Sequence, residues 1–374
     1  MTGERRAMAM TADWWFSAAT AFLAVSGLFL SGSARAFQEA LGGGVPIGIA
    51  KSIVHLVIGF VFFVLIMWPD YHHLSGRRAV WLMLGVIAAF LLAALFGPEI
   101  NGAHRWLHFG PLSFQPSELA KPVLVVALAA ALCRSGEEIR TTTGLARPIV
   151  IGGFLSALVL AGRDLGTPAL LFGAALAMAV AAGARWRHVA SLVGASAVLF
   201  ALFVVIAPYR AERVTGFARA VVFSPAELPE IPYQLRQSIL AVGSGGPWGM
   251  GIGASSQKRL FLPEPDNDFL FAIVAEELGL WGALIVLALF LVLAWRGLVI
   301  AERAPDDLGR LIALGGAWML SVQGLCHMGV VTGLLPTKGL PLPFLSTGGS
   351  SLIASFMLAG LVLNVSMRSR GGAR

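Results

Sequence analysis

Apolar runs of about 18 residues or more recur along the whole chain, separated by short polar breaks; Val80 to Phe96 and Leu278 to Trp295, with its leading Phe269 to Ala275, are examples. Runs of that length fit the thickness of a bilayer, so several helices must cross one. The pattern predicts ten spans, at 13–33, 46–68, 79–97, 116–134, 148–162, 168–184, 188–207, 269–295, 311–335 and 349–367. The expected fold is an all-α integral membrane protein, one polytopic domain over 1–374, with a long loop at 208–268 between the seventh and eighth helices. The first run, Trp14 to Phe29, follows Arg5 and Arg6 and precedes Ala34-Arg35-Ala36, which mimics a signal-peptidase site. It exceeds the usual h-region of about 7–15 residues and opens with two tryptophans suited to an interface, so it is read as a retained helix.

Composition agrees with this solvent: 57% of residues are hydrophobic and 13% charged, against roughly 45–50% and 25% in soluble domains. The formal charge of +7 would fit nucleic acid or an anionic surface, but the basic residues lie mostly in short loops, and no nucleic-acid partner is expected. With ten spans, one side receives Arg5, Arg6, Arg77, Arg78, Arg134, Arg140, Arg147, Arg185, Arg187, Arg296, Arg303, Arg310, Arg368, Arg370 and Arg374. The short loops opposite carry only Arg35, Arg105, Arg163 and Lys338. Positive-inside bias therefore puts both termini in the cytoplasm and the long loop outside the cytoplasmic membrane. Cys133 and Cys326 fall within or at the end of apolar segments and imply no disulfide framework.

Ionisable residues inside spans are costly and are candidates for function. Lys51 and His55, Glu118 and Lys121, Asp164, Glu276 and Glu277, and His327 all fall toward the outer side, which predicts a polar cavity in the outer half of the bundle. Each has a plainer reading. Glu118 and Lys121, three apart on one helical face, make a structural ion pair equally well. His327 is read as a packing residue, since no His, Cys or Asp spacing resembles a metal site. Glu276 and Glu277 are adjacent, so one at most is expected to line the cavity. The long loop adds Arg210, Arg213, Arg219, Arg236, Lys258 and Arg259, a cluster suited to a diphosphate at the membrane surface or to anionic headgroups. Val214, Phe217, Ala218, Val221 and Val222 recur there at helical spacing, as in a helix lying on the membrane. The run from Gly243 to Gly253 permits tight turns, but it does not sit between a strand and a helix as a phosphate loop would.

Four stretches carry a resemblance. Asn101-Gly102-Ala103-His104-Arg105-Trp106 with Phe114-Gln115-Pro116-Ser117-Glu118-Leu119-Ala120-Lys121, then Asp164-Leu165-Gly166-Thr167, resemble signatures of the shape, elongation, division and sporulation family. So does the segment from Tyr233-Gln234 through Gln237-Ser238, the glycine run, Gln257-Lys258 and Leu262-Pro263-Glu264 to Asp268-Phe269 and Glu276-Glu277-Leu278-Gly279. Leu335-Pro336-Thr337-Lys338-Gly339-Leu340-Pro341-Leu342-Pro343-Phe344, with Ser346 and Gly348-Gly349-Ser350-Ser351, is similar to its last outer loop. Leu335 to Gly339 and the Gln257-Lys258 pair resemble the division branch more than the elongation branch. The resemblance implies polymerisation of lipid II into glycan strands on the outer face, with a class B penicillin-binding protein and other division or elongation membrane proteins as partners. It puts the catalytic aspartate at Asp268 and cavity residues at Glu118, Lys121, Asp164 and Lys338; Arg105 and Ser350 lie in matched motifs, and Arg210, Arg213 and Lys258 in the basic loop. The family usually has histidine and threonine ahead of the aspartate, where this chain has Asp266 and Asn267, so Asp266 stands as a rival base. Arg163 stands where the family often has proline, and His327 where it often has asparagine.

The chemistry implied is inverting glycosyl transfer. A carboxylate takes the proton from the acceptor hydroxyl as it attacks the anomeric carbon, and cations stabilise the departing diphosphate. No cofactor is required; a divalent cation at the diphosphate stays open. The alternatives are a lipid II flippase and a non-catalytic division scaffold. A transporter would be expected to show repeated halves, broken helices and a midplane site, and the sequence shows none of these. Asp268 also precedes the predicted eighth helix, where an aspartate serves as an N-cap.

Overall fold

The computed structural model describes residues 12–41, 47–100, 102–109, 112–164, 166–205, 233–255, 267–336 and 339–369. In chain order they form α1 (Trp14–Leu41), α2 (Ile47–Met67), the single turn α3 (Tyr71–Leu74), α4 (Arg77–Leu95), strands β1 (Leu107–Phe109) and β2 (Leu112–Phe114), α5 (Pro116–Ser135) and α6 (Thr142–Ala161). There follow α7 (Gly166–Ala181), α8 (Trp186–Val205), α9 (Tyr233–Ser244), α10 (Leu270–Glu302), α11 (Asp307–Val331) and α12 (Gly349–Arg368). Every predicted span has a helix on it. Among the described residues, seven helices are long and apolar enough by themselves to cross a membrane, namely α2, α4, α5, α6, α10, α11 and α12, while α1 and α7 contribute shorter apolar stretches.

The centre is made by α5, α11 and α12, whose apolar windows are 72%, 72% and 83% buried; that of α2 is only 11% buried, with Phe60, Val61 and Leu65 exposed. An apolar exposed face of this kind is the surface a bilayer covers. α12 packs on α2, α11 and α5, and α11 packs on α10. Trp14, Trp15, Trp68, Trp81, Trp186 and Trp295 are exposed and sit at the helix ends that the arginine pattern assigns to the cytoplasmic rim, as an aromatic belt does.

Polar ties close that rim. Arg296 pairs with Asp13, whose N–H donates to Ser366 Oγ at 3.0 Å. Tyr71 donates to Asp306 Oδ2 at 2.7 Å, and Asn364 Nδ2 donates to Pro69 O at 2.6 Å. Burial pushes the Asp70 carboxyl up, but hydrogen bonds and charge from His72, with Arg368 beyond, hold it below the usual carboxylate value.

The structure amends several expectations. The all-α description gains a hairpin in the loop 98–115, with Leu107 opposite Phe114 and His108 opposite Ser113; the alternating Leu-His-Phe and Leu-Ser-Phe triplets fit a two-faced ribbon. α6 begins at Thr142 rather than 148, because Thr141 caps it by accepting from Gly144 N at 3.2 Å. The stretch predicted as a surface helix, 214–222, lies outside the described residues.

The largest amendment concerns the eighth span. At 33 residues α10 would measure about 50 Å as a straight helix, more than the ~30 Å of a hydrocarbon core. It is broken at Gly279 (φ 67°, ψ −164°). A break strands backbone carbonyls, which lipid cannot satisfy. The glycine run supplies the partners: Met250 N donates to Glu276 O at 2.9 Å, Gly251 N to Glu277 O at 3.0 Å, and Leu280 N to Gly246 O at 2.9 Å. This fit demands bare backbone, since a methyl group on Gly249 would stand 2.2 Å from Glu277 O, and one on Gly279 2.3 Å from Gly249 N. The described part of the long loop is therefore no loose cap: α9 packs on α10 and α11, Ser238 Oγ donates to Val331 O at 2.7 Å, and the glycines plug a helix break.

Gly279 lies in backbone space that only glycine occupies at low cost, and elsewhere such strain costs about 1–3 kcal/mol. Gly279→Ala, with its clash added, is expected to lower the melting temperature in detergent by several degrees, whereas Gly85→Ala and Gly153→Ala, where nothing lies within 4 Å, leave it unchanged. Equal melting curves for Gly279→Ala and these controls would show that the break is not a structural requirement.

Candidate active site

The outer half of the bundle concentrates buried polar groups, but the described ones do not gather in one cavity. The first group is built on α5. Pro116 opens this helix with Glu118 in its first turn, a placement the helix dipole favours. Glu118 and Lys121 are each 1% exposed. Lys121 Nζ donates to Glu118 Oε1 and Oε2, both at 2.7 Å, and to Gln323 Oε1 at 2.8 Å. An ammonium has three protons, so Lys121 has none left for a substrate, and direct substrate contact gives way to a supporting role. Gln323 Nε2 then donates to Pro341 O at 2.7 Å.

Asp164 is buried, and its carboxylate caps α7: Oδ1 accepts from Gly166 N at 3.0 Å and Thr167 N at 3.3 Å, Oδ2 from Thr167 Oγ at 2.9 Å. It also lines a narrow cleft with His104, Arg105 and Ser117. Arg105 donates from Nη2 to Arg163 O at 2.8 Å, while its buried Nε has no partner among the described residues. Arg163 adopts a left-handed conformation, φ 62°, held by Arg163 N donating to Leu160 O at 2.9 Å. Arg105 and Asp164 thus line the same cleft.

Asp268 lies at the mouth of a different contact. It is partly buried, and a methyl group on Gly339 would stand 2.7 Å from its Oδ2, so the carboxylate rests on the last outer loop beside Lys338 in sequence. The N-cap expectation fails by one residue: α10 begins at Leu270, Phe269 occupies the cap position, and no side chain caps it. Two ties flank the aspartate. Ser346 Oγ donates to Asn267 O at 2.8 Å and accepts from Leu342 N at 2.8 Å. His327, buried as expected of a packing residue, contacts Leu340 O through Nδ1 at 2.6 Å and accepts from Phe271 N through Nε2 at 3.5 Å.

The remaining candidates distribute as follows. Ser350 Oγ accepts from Gln115 N at 2.9 Å and so ties α12 to the start of α5. Glu276 and Glu277 are both buried, and Ser255 Oγ donates to Glu276 Oε2. Lys51 is exposed, and His55 lines a second narrow cleft with Phe344 and Thr347. Arg210, Arg213, Lys258, Lys338 and the rival Asp266 lie outside the described residues. Sequence reasoning that looked only for ionisable groups passed over Gln323, although an amide in the middle of an apolar span signals the same need for a partner.

Comparison with known proteins gives a consistent answer. The family model described as cell cycle protein, covering FtsW, RodA and SpoVE, matches residues 14–371. The "Probable peptidoglycan glycosyltransferase FtsW" of Geobacter metallireducens is 38% identical over 322 residues, 85% of this chain and 84% of its own length. Stage V sporulation protein E of Bacillus subtilis is 41% identical over 330 residues, 86% of this chain and 87% of its own. Among solved structures, a chain from a peptidoglycan synthase complex that coordinates polymerization and crosslinking superposes with a TM-score of 0.78 at 30% identity, covering 95% and 98% of the two chains. The rod shape determining protein RodA of Thermus thermophilus gives 0.70 at 30% identity, covering 97% and 99%.

Removing one member of a buried ion pair leaves the other unpaired at a cost of about 3–5 kcal/mol, whereas a well-packed neutral pair is often tolerated. Glu118→Gln and Lys121→Met alone are each expected to reduce yield and melting temperature sharply, and the double variant to recover most of the loss. A double variant no more stable than the worse single one would show that the two residues are not coupled.

Proposed function

The chain belongs to the FtsW, RodA and SpoVE family of cell cycle proteins, and on that footing we propose that Asp268 is the general base with which it builds glycan strands. It is a peptidoglycan glycosyltransferase acting in cell division. The observation that carries the role of Asp268 is its placement: a partly exposed carboxylate, one residue ahead of the cap of α10 and seated on bare backbone at Gly339. The positive end of that helix favours the ionised form that a base must have.

The substrate in this reading is lipid II. Asp268 takes the proton from the acceptor sugar hydroxyl as its oxygen bonds to the donor's anomeric carbon with inversion. The diphosphate leaves with the bond electrons and needs no acid. Arg105, whose Nε has no partner among the described residues, and the loop residues Arg210, Arg213, Lys258 and Lys338 balance that charge. Lipid tails hold donor and acceptor at one surface, which supplies proximity. A class B penicillin-binding protein is the partner that crosslinks the strands, in keeping with a structural neighbour drawn from a synthase complex.

The break in α10 revives the transporter alternative, since discontinuous helices mark many transporters. Here, however, the backbone groups at the break are met by the glycine run of the same chain. Its geometry favours a fixed, one-sided active site.

This reading requires ten spans, cytoplasmic termini and an active site on the outer face of the cytoplasmic membrane. Ile252→Cys is exposed in the glycine run, and in a background with Cys133 and Cys326 replaced by Ala it is expected to react with an impermeant maleimide on cells whose inner membrane is intact. Reaction only after that membrane is permeabilised would reverse the orientation.

Loss of a general base typically costs about 10²–10⁴-fold in rate. Asp268→Asn is expected to insert and melt like wild type yet to give no polymer ladder from fluorescent lipid II, while Asp266→Asn keeps substantial activity. Ladders of near-normal intensity from Asp268→Asn would remove it from the mechanism, and loss confined to Asp266→Asn would pass the role to Asp266.

A further inference from the structure

Four segments meet behind Asp268, and two uncharged side chains of α11 join them. Gln323 and His327 are one helical turn apart and share a face. Gln323 accepts from Lys121 of α5 and donates to Pro341 O. His327 faces Leu340 O through Nδ1 and Phe271 N through Nε2. A carbonyl only accepts and a backbone N–H only donates, so the imidazole is neutral with its proton on Nδ1. Both side chains are buried, at 3% and 1% exposure, and each has both of its polar atoms engaged.

The acceptors they hold are consecutive. Leu340 O and Pro341 O directly follow Gly339, whose backbone supports the Asp268 carboxylate. Phe271 N is an orphan donor in the uncapped first turn of α10, three residues after Asp268. One imidazole thus fixes both surfaces that meet at the aspartate: the loop beneath it and the helix start behind it. The Glu118–Lys121 pair anchors the other end of the same chain of contacts through Gln323.

We propose that Gln323 and His327 are positioning residues for the glycosyl transfer. They set the distance between the Asp268 carboxylate and the acceptor hydroxyl by locking residues 339–341 and the first turn of α10, and they touch no substrate. This inference rests on the general-base reading of Asp268. Displacement of a catalytic group by about 1 Å can cost on the order of 10²-fold, while binding groups elsewhere in the site are untouched. The signature of such a role is a fall in kcat with KM preserved.

The test uses the full-length protein in detergent or liposomes with fluorescent lipid II, normalised to correctly folded material by thermal melting. His327→Leu removes both contacts at similar volume, and its kcat is expected to fall about 10–100-fold with KM within about twofold. His327→Asn keeps an amide at the Nδ1 position that can donate to Leu340 O, and is expected to return kcat to within about threefold of wild type. Gln323→Glu keeps the acceptor for Lys121 and loses the donor to Pro341 O. It is expected to reproduce the kcat loss, and it stands in for His327→Leu should that variant not fold. Wild-type kcat in a folded His327→Leu or Gln323→Glu protein, or a loss in both that His327→Asn fails to relieve, would overturn the positioning role. Absence of polymer from the wild-type protein would instead overturn the reading on which it rests.

Discussion

A polar group within the hydrocarbon of a bilayer has no water to bond with, so its partner must come from the chain itself. Most of the outer half of this protein follows from that requirement. The carbonyls freed by the break at Gly279 are met by Met250 and Gly251, the start of α7 by Asp164, the start of α10 by His327, and the residue ahead of α5 by Ser350. In each of the last three cases a side chain on a different turn or a different helix closes a helix end. Helices that complete one another's ends cannot shift independently, and a site built where they meet inherits that rigidity.

The same requirement explains why charge is tolerated at Glu118 and Lys121. A buried pair adds little net stability, because desolvation offsets the attraction. What it adds is directionality. Lys121 has three protons in fixed directions, two taken by Glu118, and the third selects Gln323 and no apolar alternative. Through Gln323 that choice reaches the loop at Pro341. A hydrophobic replacement would hold α5 against α11 equally well, but it would leave the loop backbone unassigned.

Much of this was legible in the sequence, and the limits of legibility have physical causes. Apolar run length put a helix on every predicted stretch, since a run of bilayer length bounds where such a helix can lie. The polar residues early in α5 and at Asp164 announced themselves by the cost of placing charge there, whereas Asp268 was marked by the family resemblance of its motif. Hydropathy could not show the break in α10, because a glycine in an apolar run reads the same whether the helix continues or stops. Nor could it pair the run at 245–251 with residues 276–280, as that match lies between backbone atoms and leaves no side-chain trace. The expectation that at most one of Glu276 and Glu277 lines a cavity assumed a regular helix; both are buried beside the break, where the glycine run bonds their backbone carbonyls. Gln323 was passed over because it carries no charge, although its amide is what couples the ion pair to the loop.

The position of Asp268 relative to α10 brings these strands together. An aspartate at the cap position would have its oxygens engaged by the N–H groups of the first turn, which stabilises the helix and weakens the carboxylate as a base. The structure separates the two duties. Phe269 takes the cap position without a side-chain bond, and His327, from another helix, accepts from the first-turn amide at Phe271. Asp268 stands one residue further out, still within reach of the helix's positive end. The imidazole of His327, reaching α10 from α11, thus ties down the first turn directly behind the carboxylate that we assign as the general base.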